Sequence, residues 1–568
     1  MAAIQARISR GKKYWSVVES RRINGEPRTA ILEYLGTAET LLERLKNEKS
    51  LTLSSYSHGD TAALLGIASE LGVIEVINKH VKPSRLGKPP KRDGLSVGGS
   101  LVLAAIGRAC CPTSKDGWYD WAKTTSLEYC LRSNFKNLDS QHFWDQMHAF
   151  PVEGIAAVQD ELIGRLIEQY DIKLDTLLFD ATNFFTFIAS TNNRCTIAKR
   201  GKSKQKRYDL RLVGLALLVT REEQFPLFHK AYQGNRNDSR LFKEVFGDLV
   251  KRLSVVSKEL SDVTFVFDKG NNSKKNFEMI DAERDCYYVG SLVPSYFKDL
   301  IKKANDNFEE LRLKKEKIPV FRAKIEVWGK KRTCVVLISE QLRQGQIRGI
   351  EQALTKKYAE LDKFKARLEN SKRRKKCTKK QVEARLDELI DGQFVKDILR
   401  YELIKVGRVI SFEYYLEGFD DLQNSVLGRR ILVTNRDTWS TEEIILAYRA
   451  QSKVEYAFRT LKNPYHLAIR PQFHWTDQKI EVHFFICIIG YLLAIAAYTK
   501  ARAVGYRRNI DNFMDELRSI RLAAVAKTKG RNVLYQIEKI PHSLKKIATK
   551  LAITSQNIRP NINFSDYS

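Results

Sequence analysis

Cysteine is sparse and poorly spaced for structural work. Eight occur in 568 residues, none in a C-x-x-C pair and none at zinc-finger spacing from a histidine. Cys110 and Cys111 are adjacent, which suits neither a mutual bridge nor a zinc knuckle. A disulfide-stapled or zinc-built fold is thereby excluded, and free thiols in a reducing cytoplasm are expected. Histidine is equally thin. The nine are scattered, and His474 and His483 flank an apolar segment without a partner one helical turn on, so they offer no rival metal site. No G-x-x-x-x-G-K-[ST] loop occurs, so nucleotide is not an expected partner. The opening MAAIQARISRGKKYW lacks the apolar stretch of a signal peptide. The longest apolar run, Phe484 to Tyr498, has 15 residues. A bilayer span needs about 20, so a buried core helix is expected there and no membrane partner. There is no internal repeat and no long low-complexity tract.

Acidic residues are also in deficit. Lys and Arg total 97 against 67 Asp and Glu, a net charge of +30, and the isoelectric point is near 9.6. Such a surplus repels itself unless a polyanion meets it, and nucleic acid is the natural one. Hydrophobic residues at 43% and aromatics at 10% support ordinary globular folding. The length asks for two to four domains.

Residues 14 to 36 alternate on both sides of Asn24-Gly25, a hairpin signal. Helices are expected from Glu39 to Lys49 and over 60 to 80 and 95 to 109, making 1–150 a hairpin with helices and a candidate DNA-binding region. From 171 the pattern changes. LDTLLFD, ending at Asp180, reads as one strand, NFFTFIAS as a second and Leu210 to Val219 as a third. A helix over Ser239 to Leu253 and the strand VTFVFD, ending at Asp268, follow. This is the pattern of a mixed α/β sheet. Residues 291–430 read as an inserted domain, in which strands flank an antiparallel helical hairpin with the basic tip SKRRKKCTKK. GRRILVTN is a final strand, and Ser440 with Glu443 has capping-box spacing for the helix that carries Tyr448 to Leu461. The core is thus expected over 170–290 and 431–500, with 501–568 a basic C-terminal region.

Asp180 and Asp268 each end an apolar strand, where ligands gather in open α/β sheets. Two carboxylates there suit a hard cation such as magnesium. On the helix AYRAQSKVEYAFRTLK, a rotation of about 100° per residue puts Tyr448, Gln451, Glu455, Arg459 and Lys462 on one face. An ordinary Glu455–Arg459 pair would explain part of that stripe but not its continuation through Tyr448 and Lys462.

These three blocks together resemble the DDE transposases of bacterial insertion sequences. The subgroup with a Y-x2-R-x3-E-x6-K helix is the nearest in pattern. Tyr448, Glu455 and Lys462 fit its spacing, while Gln451 occupies the arginine slot, with Arg459 or Arg449 able to supply the charge. FPLFHKAYQGNRNDS (225 to 239) and LAIRPQFHWTDQKIEVHFFIC (467 to 487) resemble the same family.

The resemblance implies a ribonuclease H-like core with an insertion before the Glu, in keeping with the 187 residues that separate Asp268 from Glu455. It also implies two Mg2+ or Mn2+ ions held by Asp180, Asp268 and Glu455, and strand cleavage and transfer at the ends of an insertion sequence. Tyr448, Arg449, Arg459 and Lys462 would grip phosphates, joined by Arg236 and by Lys204, Lys206 and Arg207 from the basic stretch 199 to 211. Trp328 and Trp439 are candidates for an aromatic beside a flipped base. The expected partners are double-stranded DNA, as terminal inverted repeats and target, and a second copy of the chain at synapsis. The expected location is the nucleoid of a bacterial cytoplasm. Two alternatives stay open: a DNA-binding derivative without catalysis, and a nuclease of the same fold that cuts without joining.

Overall fold

The computed structural model describes the chain apart from residues 1, 10, 24–25, 48–50, 84–90, 202–207, 237, 257–261, 269, 271, 284–285, 371–376, 407–408, 471, 528–532 and 555–568. It divides into two compact units. One comprises Met1–Glu75, Pro89–Gln146 and Leu493–Ser568; the other comprises Val76–Lys88 and Met147–Leu492.

In the first unit the alternating N-terminal sequence forms an antiparallel three-stranded sheet of Ala2–Ser9, Lys12–Ile23 and Glu26–Gly36. The expected turn at Asn24-Gly25 lies outside the described residues. Helices Gly59–Glu70 and Val97–Cys110 follow; the second is apolar and buried along its whole length. The expected basic C-terminal region does not stand alone. Its strand Arg521–Lys527 lies between Leu51–Ser57 and Val533–Ile537, so the two ends of the chain share one small sheet.

The second unit is built on one mixed sheet. Its elements, in chain order, begin with α1 (Val152–Tyr170), β1 (Thr176–Thr186), β2 (Arg211–Thr220), β3 (Pro226–Gln233), α2 (Asp238–Val256), β4 (Val263–Val266), α3 (Lys274–Ala282) and β5 (Cys286–Leu292). Then come α4 (Lys298–Asp306), β6 (Glu309–Leu313), β7 (Glu316–Val327), β8 (Lys330–Ile338), α5 (Glu340–Glu369), α6 (Lys379–Ile390), β9 (Leu399–Val406), β10 (Val409–Leu416) and β11 (Arg429–Thr434). The last three are α7 (Thr441–Arg449), α8 (Gln451–Lys462) and α9 (Asp477–Ala503), the division between units falling after Leu492. The nine-stranded order is β6-β7-β8-β11-β5-β4-β1-β2-β3. Only β4 is parallel to its neighbours, β5 and β1; all other pairs are antiparallel. This is the expected α/β class, a mixed sheet flanked by helices.

Three details differ from the sequence reading. LDTLLFD and NFFTFIAS are one strand: β1 runs through Asp180 without a break because it pairs with β2 from Leu177 to Thr186. Strands β6 to β8 extend the core sheet rather than forming part of a separate inserted domain, since β8 hydrogen-bonds to β11. The helical hairpin does form. α5 and α6 bury Leu354, Leu361, Leu368, Val382, Leu386 and Leu389 in a core of their own with Phe412 from the β9–β10 hairpin. Most of its basic tip, residues 371–376, lies outside the described residues. The helix expected over Tyr448 to Leu461 is two helices meeting at Ala450, whose N–H is shared between the carbonyls of Leu446 and Ala447. Ser452 contributes by donating back to the Arg449 carbonyl at 2.9 Å, a bond that bends helices.

The sheet's aromatic side is packed by α2. Phe179 and Phe267 both meet Phe242, at ring separations of 5.2 and 4.9 Å. The opposite side meets α8 and α9: Phe184 lies 5.8 Å from Phe484. α9 is 27 residues long and apolar enough to cross a membrane, but 94% of its most apolar window is buried within the protein. Burial at that level marks a core helix.

Candidate active site

The register between β1 and β4 places the two aspartates. Thr176, Leu177 and Leu178 stand beside Thr264, Phe265 and Val266. Beyond that pairing β4 has ended at Val266; Asp268 follows two residues on, and Asp180 stands two residues beyond Leu178 within β1. Side chains alternate along a strand. Phe179 and Phe267 both turn to α2, and within β1 Asp180 faces away from the side that Phe179 takes. Asp268 follows the end of β4 and is exposed, as expected, whereas Asp180 sits within β1 and is half-buried. The pairing of β4 with β1 ends at Leu178, two residues before Asp180.

Helix α8 is fixed to β1 at two points. Gln451 is buried, and its Nε2 donates to the Phe179 carbonyl at 2.9 Å. Lys462 Nζ donates to Thr182 Oγ1 at 2.6 Å and lies 5.2 Å from the Phe184 ring. Glu455 lies between these anchors in sequence and is exposed. The capping box at Ser440 and Glu443 starts α7 as the sequence indicates. Tyr448, near its end, is buried, and its hydroxyl donates to Asp268 Oδ1 at 3.3 Å. Burial raises the Tyr448 pKa and keeps it a neutral donor. The Arg430 guanidinium lies 5.2 Å from its ring.

The remaining predicted residues are more dispersed. Arg449 makes a two-point pair with exposed Glu316, at 2.7 and 3.2 Å. Arg459 is exposed and stacks on Tyr456 at 4.7 Å. Arg236 pairs with Glu244. Lys204, Lys206 and Arg207 lie outside the described residues. Trp328 packs edge-on against Phe277 at 4.8 Å, and Trp439 lies under Arg436 at 4.4 Å.

The donors available to a metal are carboxylate oxygens, which suit a hard divalent ion. Among the described residues no three His, Cys, Asp or Glu side chains are gathered to hold one ion. Asp180 lies within β1 and Asp268 just past the end of the neighbouring β4, while Glu455 is on α8, which is fastened to β1. Asp180 accepts its neighbour Ala181's N–H at 2.8 Å, and Asp268 accepts Tyr448. Sequence reasoning missed Tyr448 and Gln451 as supports of this site. Their place in the helical stripe was visible, but whether a stripe residue meets DNA or the neighbouring strand depends on packing.

The candidate site is thus a set of half-buried or exposed carboxylates carried by one mixed sheet and by a helix fastened to it. Residues 173–493, more than half the chain, match the family described as Transposase DDE domain, and the chain belongs to that family. Enzymes of this family carry out DNA transposition and generally use divalent metal ions. Among solved structures, a piggyBac transposase synaptic complex with hairpin DNA is similar at 10% identity and a TM-score of 0.36, over 90% of this chain and 88% of that one. A Mos1 transposase paired-end complex with the left transposon end is similar at 8% identity and a TM-score of 0.15, over 36% and 61%. No match is found among curated proteins.

Proposed function

We propose that the chain cleaves and joins DNA at the ends of a bacterial insertion sequence, acting as a dimer that holds two ends. What supports this reading is the position of Asp180 in β1 and of Asp268 just past the end of its parallel neighbour β4, with Glu455 on α8, which is fastened to β1. These three carboxylates would hold two Mg2+ or Mn2+ ions. Bound there, the ions supply a lowered water pKa and charge compensation on the attacking and leaving oxygens.

The chain's own groups have separable tasks. Tyr448 fixes one Asp268 oxygen by hydrogen bond and leaves the other available. Gln451 and Lys462 hold α8 in register with β1, which sets the reach of Glu455. Arg459, exposed over the Tyr456 ring, has a guanidinium that can grip a phosphate with two bonds. Arg449 can do so only by leaving Glu316. The surplus positive charge draws DNA from a distance. The same reading places the protein at the nucleoid of a bacterial cytoplasm.

The test uses labelled duplexes that carry the element's terminal repeats, with a plasmid target. Purified protein should nick the end in Mg2+ or Mn2+, without nucleotide, and then join the freed 3′-hydroxyl to the plasmid. Cleavage without joining would favour a nuclease of the same fold. Activity that survives exhaustive EDTA would overturn the metal assignment.

A further inference from the structure

Beyond the carboxylates, the second unit carries a group of aromatic side chains in solvent. Phe187 is 46% exposed, Phe473 54% and Trp475 56%. Phe187 and Phe473 stack with centroids 5.3 Å apart and planes 27° from parallel. Phe185 meets Phe187 edge-on at 5.7 Å, and the Arg470 guanidinium lies 4.4 Å over Phe185. Exposing so much ring surface is unfavourable unless something covers it in function.

The cluster is held rigidly. The segment after β1 is fastened to the segment before α9 by Phe187 N–H to the Gln472 carbonyl at 3.1 Å and by Asn192 Nδ2 to the Trp475 carbonyl at 2.9 Å. The N–H groups of Thr196 and Ile197 both reach Asp477 Oδ1, at 2.7 and 3.1 Å. Arg211 Nη1 donates to the Asn192 carbonyl at 2.9 Å. These bonds fix the backbone, so the rings are pre-set rather than recruited.

Charge indicates what covers them. No acidic residue occurs from Phe187 to Tyr208 or from Tyr456 to Thr476, while the first stretch contains Arg194, Lys199 and Arg200, all exposed. The carboxylate of Asp477, the acid beside the rings, is taken up by Thr196 and Ile197, and aromatic faces set among exposed cations are the composition of a surface for unpaired nucleotides: bases stack on the rings and phosphates meet the cations. Phe187 directly follows the strand that contains Asp180. Seven residues along it at about 3.3 Å each gives about 23 Å, or about seven base steps at 3.4 Å.

We infer that Phe187, Phe473 and Trp475 form a stacking platform for unpaired bases of the DNA strand, up to about seven nucleotides from the bond cut at Asp180. This rests on the proposed DNA-cleaving function for its position but not for its readout. The experiment measures quenching of tryptophan fluorescence and affinity for an unstructured single-stranded oligonucleotide and for a blunt duplex, using the full chain without metal. Trp475→Ala and Phe187→Ala should each weaken single-strand binding about tenfold and leave duplex binding within twofold. Trp475→Tyr should restore most of the loss, because it keeps a stacking face. Equal losses on both DNAs, or none on the single strand, would overturn the platform. Separately, wild-type protein that never cuts DNA in Mg2+ or Mn2+ would overturn the catalytic reading, while the single-strand comparison would still decide the platform.

Discussion

Replacing Gln451 by leucine is the sharpest probe of how α8 is held. Its Nε2 donates to the Phe179 carbonyl at 2.9 Å, and its buried Oε1 has no hydrogen-bond partner among the described residues. Losing the donor leaves a backbone carbonyl without that bond, a cost of about 1–3 kcal/mol. Removing the unpartnered oxygen returns part of this, because a buried polar atom without a bond is itself costly. The net loss should be about 1 kcal/mol, a fall of a few degrees in unfolding temperature at most. The effect on rate should be larger than that on stability, because Glu455 stands one helical turn beyond the anchor. Thermal unfolding, duplex affinity and single-turnover cleavage are to be measured on the same preparation. The expected pattern is a small thermal shift, unchanged affinity and a cleavage rate lower by about tenfold or more. A fall in affinity that matches the fall in rate would mean Gln451 touches DNA, and the anchoring argument would be wrong.

Arg459→Ala should slow cleavage by about one to two orders of magnitude, since charged hydrogen bonds contribute about 1.5–3 kcal/mol; a rate loss matched by a lower unfolding temperature would assign Arg459 to helix support instead. Acid stability should reflect His229, whose pKa burial lowers to about 3. The unfolded chain binds that proton near pH 6.5 and the folded chain does not, so this contribution is complete above 6.5 and is lost as pH falls toward 3. His229→Gln should flatten that part of a stability–pH curve, and an unchanged slope would contradict the argument. DNA affinity should fall linearly on a log–log plot against salt concentration, given the net charge of +30; a flat plot would mean the basic surplus serves another purpose.

The strands and the helix cap around the candidate site were legible from residue order alone. Asp180 and Asp268 were visible because each follows an apolar run, and an apolar run in an α/β pattern is a strand. The capping box at Ser440 and Glu443 was visible because it is local chemistry. The continuity of β1 through Asp180 was not, because it depends on pairing with β2, whose register no local pattern states. Gln451 looked like a departure from a DNA-gripping arginine. Its burial against Phe179 comes from where α8 packs, which helical periodicity alone does not give. The extension of the core sheet by β6 to β8 was hidden for the same reason: edge strands read alike whether they belong to an inserted domain or to the main sheet. Nothing local announced the Phe187–Phe473 stack, because its two halves are 286 residues apart in the chain.

The central claim is that Asp180, Asp268 and Glu455 act together on one phosphodiester. Asp180→Asn, Asp268→Asn and Glu455→Gln keep shape and remove charge, so each should abolish Mn2+-dependent nicking of an end-containing duplex while leaving its affinity within a few-fold of wild type. Near-wild-type nicking by any one of the three would remove that residue from the site and contradict the account.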